Sequence, residues 1–211
     1  MASILVLFAS HFGQTRAIAN TIADELRGAG HEVDVVDARR SDVPPPEDYD
    51  IAVLGSRVEL GHHASAIRSY VTMHREALRD MPTAFFSVSM AAAHAGASAD
   101  PNGYMTSLFE DTGWRPELSA AFAGALRYRQ YDWLTRFIMK QISRSAGHTT
   151  DTSRDHEFTD WKRVHAFGRR IAEMVMVRER EHLVGHAASP IAARSTALHA
   201  PVTRFMTTGA R

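Results

Sequence analysis

The stretch spanning residues 4–26 constrains this chain most. Ile4-Leu5-Val6-Leu7-Phe8 is an unbroken apolar run of strand length, and Ile18, Ile22 and Leu26 recur every four residues, marking one face of a helix. Between them lies Ala9-Ser10-His11-Phe12-Gly13-Gln14-Thr15-Arg16, a turn that carries hydroxyls and one glycine. A turn joining a buried strand to a helix start aims unpaired backbone N–H groups and the positive end of the helix dipole at one point, which suits a phosphate. The stretch matches neither the dinucleotide-binding glycine pattern nor the P-loop lysine motif. Ser10 and Thr15 supply hydroxyl donors instead, and Gly13 lets the backbone close in. The plainer alternative is a hydroxyl N-cap on a first helix.

The same alternation continues along the chain. Gly28 and Gly30 end the first helix, Glu32-Val33-Asp34-Val35-Val36 is a second strand, and Val43-Pro44-Pro45-Pro46 is a stiff connection. Ile51-Ala52-Val53-Leu54-Gly55 is a third strand, leaving through the polar loop Ser56-Arg57-Val58-Glu59-Leu60-Gly61-His62-His63 towards a helix with Ile67, Val71 and Leu78. Thr83-Ala84-Phe85-Phe86-Ser87-Val88 is a fourth strand; a loop from Ser89 and a short helix over 104–110 follow it. Ala121-Phe122-Ala123-Gly124-Ala125-Leu126 is a fifth, and a last helix capped by Thr159 carries Val164, Phe167, Ile171 and Val175. Strands alternating with helices predict an α/β fold, a doubly wound five-stranded parallel sheet with helices on both faces. Ligands of such sheets sit at the carboxyl ends of the strands where the strand order reverses. The loops after strands one, three and four are therefore the expected site.

Charge excludes some partners. The 24 basic and 24 acidic residues cancel, so no overall field favours nucleic acid. The chain has no cysteine, which removes disulfides, cysteine-held metals and thiol chemistry, and fits a reducing cytoplasm. No metal site is predicted. The N-terminus lacks the basic segment and apolar stretch of a signal peptide. The uncharged stretch 81–99 is broken by Pro82, Ser87, Ser89, His94, Gly96 and Ser98, so a strand running into a loop is expected rather than a membrane span.

Two segments exceed what the fold needs. Residues 127–158 form an insert before the last helix, and 178–211 a C-terminal tail without clear period, expected to be weakly structured; the core domain is then 1–177. Between Arg127 and His148, five basic residues stand against one acidic, a net +4. Arg136, Lys140 and Arg144 would align on a helix beside Trp133, Leu134, Phe137, Ile138 and Ile142. Such a basic, aromatic face suits an anionic membrane surface. It equally suits packing on this domain or on a second subunit of a homo-oligomer.

These residues carry a resemblance. From about Ile4 to Val175 the chain resembles the menaquinone-dependent protoporphyrinogen IX dehydrogenases, flavodoxin-like proteins that use FMN. Phe12-Gly13-Gln14-Thr15-Arg16 is similar to that family's phosphate loop. More specific are Trp114-Arg115-Pro116, Ala123-Gly124-Ala125-Leu126-Arg127-Tyr128, Tyr131, Trp133, Arg136-Phe137, Lys140, Thr150-Asp151-Thr152 and Thr159-Asp160-Trp161. The chain departs where the family tends to carry Ile-Arg-Tyr-Gly-His and this sequence has Val58-Glu59-Leu60-Gly61-His62. His11 and Phe12 also replace the more usual arginine and aspartate.

The resemblance implies FMN with its phosphate at Ser10, His11, Phe12, Gly13, Gln14 and Thr15. It places the flavin ring between Ser56, Arg57, Val58, Glu59, Leu60 and Gly61 on one side and Ser87, Val88, Ser89 and Met90 on the other. It further implies protoporphyrinogen IX as substrate, a membrane quinone as acceptor, and a peripheral position on the inner face of the cell membrane. Arg127, Tyr128, Arg129, Trp133, Arg136 and Lys140 are the candidates for substrate propionates or lipid phosphates. No catalytic acid or base is assigned, although His62 and His63 lie near the expected ring and could move a proton at neutral pH. Trp114 and Trp161 are expected in the core or in helix packing. A different FMN reductase, or an electron carrier that docks a partner protein, remains the alternative.

Overall fold

The computed structural model describes residues 1–93, 100–126 and 156–187. In chain order the elements are β1 (Ser3–Ala9), α1 (Gln14–Gly28), β2 (Glu32–Asp37), β3 (Ile51–Glu59), β4 (His62–His63), α2 (Ser65–Met73), α3 (Arg75–Asp80), β5 (Thr83–Ser89), α4 (Tyr104–Thr112), β6 (Leu118–Ala123), β7 (Ala125–Leu126), β8 (His156–Glu157) and α5 (Trp161–Ala187). Five parallel strands form the main sheet in the order β2-β1-β3-β5-β6. The order reverses between β1 and β3, which is the switch point where such sheets open a crevice.

The alternation of side chains across the pleat builds two cores. Ile4, Val6 and Phe8 of β1 face α1 and α5, meeting Ile18, Ile22 and Leu26 from one and Val164, Phe167 and Ile171 from the other. Leu5 and Leu7 point the other way, towards Ile67, Val71, Leu78, Leu108 and Trp114. An apolar run buried on both faces is what a central parallel strand requires. Trp114 is fully buried, donates its indole N–H to the Leu78 carbonyl at 3.2 Å, and meets Phe85 and Phe109 edge-on. Trp161 is partly buried against the first core. Gly55 sits beneath the Phe86 ring: a Cβ there would lie 2.0 Å from Phe86 Cζ, so only glycine lets β3 and that ring coexist.

Several boundaries differ from the sequence reading. The expected strand 121–126 is two strands, because the chain leaves the main sheet at Gly124: its N–H donates to the Ser89 carbonyl, and its own carbonyl accepts from Phe158 N–H. Beyond it, β7 pairs antiparallel with β8. The polar loop after Gly55 continues as strand to Glu59, and β4 folds back on it. The helix carrying Ile67 to Leu78 breaks into α2 and α3 at His74. Asp160, not Thr159, caps α5, its carboxylate accepting from the backbone N–H of Lys162 and Arg163. That helix runs past the expected end at Val177 to Ala187, through good helix formers and no proline before Pro190. Arg178 bonds Glu117 at 2.9 Å and Glu179 accepts from the Met1 amino group at 2.8 Å, so α5 is tied to the residues that lead into β6 and β1. The tail beyond 187, residues 94–99 and the insert over 127–155 lie outside the described residues. Among the described residues no helix is long and apolar enough to cross a membrane.

Candidate functional site

Strand register assembles the carboxyl edge. Ala9 pairs with Ser56, Ser56 with Ser87, and Ser87 with Ala121, so four small side chains form one row across β1, β3, β5 and β6. Beyond that row the three expected loops emerge side by side.

The first loop keeps a helix end open. Ser10 is buried and its Oγ accepts from the Gly13 N–H at 3.0 Å, leaving the hydroxyl proton to donate. Gly13 is the N-cap residue of α1 with φ +89°, a left-handed conformation that favours glycine. No side chain caps α1 and its first turn holds no acid. The hydroxyl N-cap alternative is therefore not what forms. The first helical bond joins Ala17 N–H to the Gly13 carbonyl, and the N–H groups of Thr15 and Arg16 precede it without a backbone acceptor. An uncapped helix start with a buried serine beside it and no acid in its own first turn fits an oxyanion such as the FMN phosphate. Arg16 reaches Asp37 at 3.5 Å and lies 5.6 Å above the Phe8 ring. The Arg39 guanidinium on Asp37 holds that carboxyl below its ordinary range.

The loop residues differ in what their side chains do. His11 stacks on Phe12 with ring centres 4.3 Å apart. Its Nδ1 lies 3.9 Å from Glu59 Oε1, across the mouth of the β1/β3 crevice. The side chain of Gln14 is engaged elsewhere: its amide donates to Glu157 Oε1 at 2.9 Å and to Thr159 Oγ1 at 2.8 Å. That side chain is therefore spent away from a phosphate at the helix start.

The second loop is a hairpin. Val58 pairs with His63 and Glu59 with His62, joined by Leu60 and Gly61 with φ of +51° and +83°. A two-residue turn with both φ positive matches strand twist, and glycine, asparagine or aspartate ordinarily fill it. Leu60 occupies it nonetheless and is 95% exposed. Ser56 Oγ clamps the hairpin by accepting from Ala64 N–H at 3.0 Å. Glu59 is not a lone loop carboxylate, since Arg57 donates to it from Nε and Nη2.

His62 is exposed, but His63 is only 5% exposed and neither of its ring nitrogens has a partner. Its ring meets Phe85 edge-on at 5.2 Å. Burial pushes its pKa down to about 4, against the opposing effects of Asp100 and the Arg57 backbone. The expectation that it titrates near neutrality is thus corrected: it is a neutral imidazole at pH 7.

The third loop leaves β5 through Ser87, Val88 and Ser89, all buried, to the half-buried Met90. Ser89 Oγ accepts from Ala92 N–H at 3.3 Å, and Val88 and Met90 flank Gly124. Of the expected residues, Ser10 to Thr15, Ser56 to Gly61 and Ser87 to Met90 come together at this edge. Arg127, Tyr128, Arg129, Trp133, Arg136 and Lys140 lie outside the described residues. Sequence reading missed Glu157, which reaches Gln14 across 143 positions. No spacing rule could have found it. Among the described residues no cluster of histidines and carboxylates could hold a metal. A groove of about 990 Å³ between Met1, Asp50, Pro82, Glu117 and Arg178 lies at the opposite, amino end of the strands.

Comparison with known proteins agrees with this architecture. A flavodoxin-domain family model matches residues 5–153. Protoporphyrinogen IX dehydrogenase (quinone) of Escherichia coli is 39% identical over 171 residues, covering 81% of this chain and 94% of the relative. The protein of that name from Leishmania major is 33% identical over 165 residues, covering 77% of this chain and 71% of the relative. Among solved structures, an archaeal flavodoxin overlays with a TM-score of 0.50 at 16% identity, over 82% of this chain and 99% of that one; it speaks for the fold alone.

Proposed function

The chain belongs to the flavodoxin-domain family, among the quinone-linked protoporphyrinogen IX dehydrogenases, and from that premise we propose that it oxidises protoporphyrinogen IX to protoporphyrin IX with FMN as cofactor and a quinone as acceptor. The observation that carries the cofactor is the open, uncapped start of α1 at the switch point. A bound flavin would supply two-electron transfer, three turnovers removing the six electrons and six protons that separate porphyrinogen from porphyrin while three quinones become quinols.

The chain's own residues do the rest. Backbone N–H groups of Thr15 and Arg16, with the Ser10 hydroxyl, take the phosphate. The hairpin with Leu60 at its tip and the exit of β5 at Ser87 to Met90 would flank a bound flavin ring and keep water from it. Glu59, already paired with Arg57, would hold a carboxylate beside a bound flavin ring. Neutral His63 backs the hairpin as an uncharged, buried ring packed against Phe85 rather than as a charged acid at pH 7. Substrate propionates and lipid phosphates are assigned to Arg127, Arg129, Arg136 and Lys140, with Tyr128 and Trp133 beside them. The support for this is the net +4 of that sequence and the lipid solubility of quinones such as menaquinone. Peripheral contact with the cytoplasmic membrane face and self-association through the insert belong to the same reading.

The test is anaerobic. Protein loaded with FMN is mixed with protoporphyrinogen IX, and then with a menaquinone analogue in anionic vesicles. Bleaching of the flavin band, its return on quinone addition and porphyrin fluorescence are expected. Flavin that binds but ignores the porphyrinogen would move the assignment to another FMN reductase, with Glu59 and Leu60 as the signature of a different substrate. Failure to bind FMN would end both readings.

A further inference from the structure

Gln14 opens α1, yet the residue is 7% exposed and both its side-chain amide protons are used at a distance from the loop. One goes to Glu157 in β8, the other to Thr159 Oγ1. Thr159 then donates its own proton to the Ala123 carbonyl at 2.8 Å, where β6 ends. One residue further, Gly124 accepts from Phe158 N–H and donates to the Ser89 carbonyl, both at 3.2 Å. Hydrogen bonds joined through the adjacent residues Ala123–Gly124 and Phe158–Thr159 therefore connect the first turn of α1, by way of the chain that flanks β7 and β8, to the exit of β5.

We propose that Gln14, Glu157 and Thr159 are positioning residues that couple the phosphate loop to the β7–β8 hairpin and, through Gly124, to Ser89, so that filling the phosphate end of the site fixes the geometry at its ring end. This rests on the reading of the loop as a flavin phosphate site. The physical basis is the half-buried setting. Removing one partner of a buried amide leaves a polar group unsatisfied, and linked hydrogen bonds shift together rather than singly. Gln14 also contributes the backbone of the helix start, so a side chain held by β8 restrains where that helix end points.

The test is amide hydrogen exchange on the full chain, with and without FMN. In the wild type, FMN slows exchange at Leu126, Glu157 and Phe158 several-fold, as well as within the loop. Gln14→Glu sets two carboxylates against each other; its FMN affinity falls about tenfold, and at saturating FMN the protection stays in the loop. The reciprocal pair Gln14→Glu with Glu157→Gln restores an amide–carboxylate bond between positions 14 and 157, though not the donation to Thr159, and returns part of the hairpin protection. A clasp that merely stabilised the fold would lower the urea midpoint of apo and FMN-bound protein alike and leave the spread of protection unchanged. Wild-type protection confined to the loop, or a single variant that keeps hairpin protection, overturns the coupling, and the wild-type result decides even if Gln14→Glu does not fold. Absence of FMN binding by the wild type instead overturns the flavin reading itself.

Discussion

His63 shows how burial sets one residue's chemistry. An imidazole with no partner for either nitrogen is held neutral because charging it between Phe85 and the hairpin would cost solvation. The unfolded chain binds that proton at the ordinary pKa of 6.5 and the folded chain only at about 4. Between those values the unfolded state holds more protons, so folding stability falls as pH falls through this window. The contribution is fully present above pH 6.5, and its loss on reaching pH 4 is on the order of 3 kcal/mol. Urea midpoints at pH 7 and 4.5 should therefore diverge in the wild type and converge in His63→Leu; an equal divergence in both would assign the acid sensitivity elsewhere. Gly55 is a second single-residue constraint. Gly55→Ala drives a methyl into the Phe86 ring and should cost about 3 kcal/mol. In the double variant with Phe86→Leu the two costs should fall short of additive by about 1 kcal/mol, read from denaturation midpoints.

At the scale of elements, the β3–β4 hairpin carries a local conflict. Leu60 holds a left-handed conformation that costs a branched residue about 1 kcal/mol, and its side chain buries nothing within the chain. Leu60→Asn should raise apo stability by about 0.5–1 kcal/mol, measured in urea. If Leu60 covers the flavin ring, the same change should weaken FMN binding several-fold; unchanged affinity would remove Leu60 from the ring's wall. The last helix presents the opposite case, an element longer than its core-facing period. Its deepest anchors are Val164, Phe167, Ile171 and Val175, and its polar ties are Arg178 and Glu179. Deleting residues after Arg180 keeps all of these, so FMN affinity should stay within about twofold of the full chain. Loss of the cofactor would instead make the deleted residues part of the domain.

For the whole molecule, cofactor and fold should be linked by mass action. A ligand held by loops of the folded sheet, and by none of the unfolded chain, adds about 2.7 kcal/mol at a hundred times its dissociation constant. FMN should shift the thermal midpoint upward with concentration, while riboflavin, lacking the phosphate, should shift it less. An equal shift would deny the α1 start its role.

Much of this was legible before any tertiary contact was known. The apolar runs at Ile4, Ile51 and Thr83 and the four-residue period of Ile18, Ile22 and Leu26 depend only on neighbours along the chain, so their elements formed where periodicity placed them. The turn at Ser10 to Thr15 followed from strand and helix meeting across it. Other features were not readable. Gly124 as the point where the chain leaves the sheet, His63 as a buried neutral base and the clasp from Gln14 to Glu157 each depend on partners far away in sequence, and so does the loss of Thr159 as cap, its hydroxyl being taken by Ala123 and Gln14. The amino-acid sequence by itself determined the alternating elements, the parallel sheet and the open turn between β1 and α1, because hydrophobic period and turn chemistry act over a few residues. Tertiary structure alone decided which side chains of that loop stay available and which are spent, because burial and hydrogen-bond pairing are settled only when segments 143 positions apart come into contact.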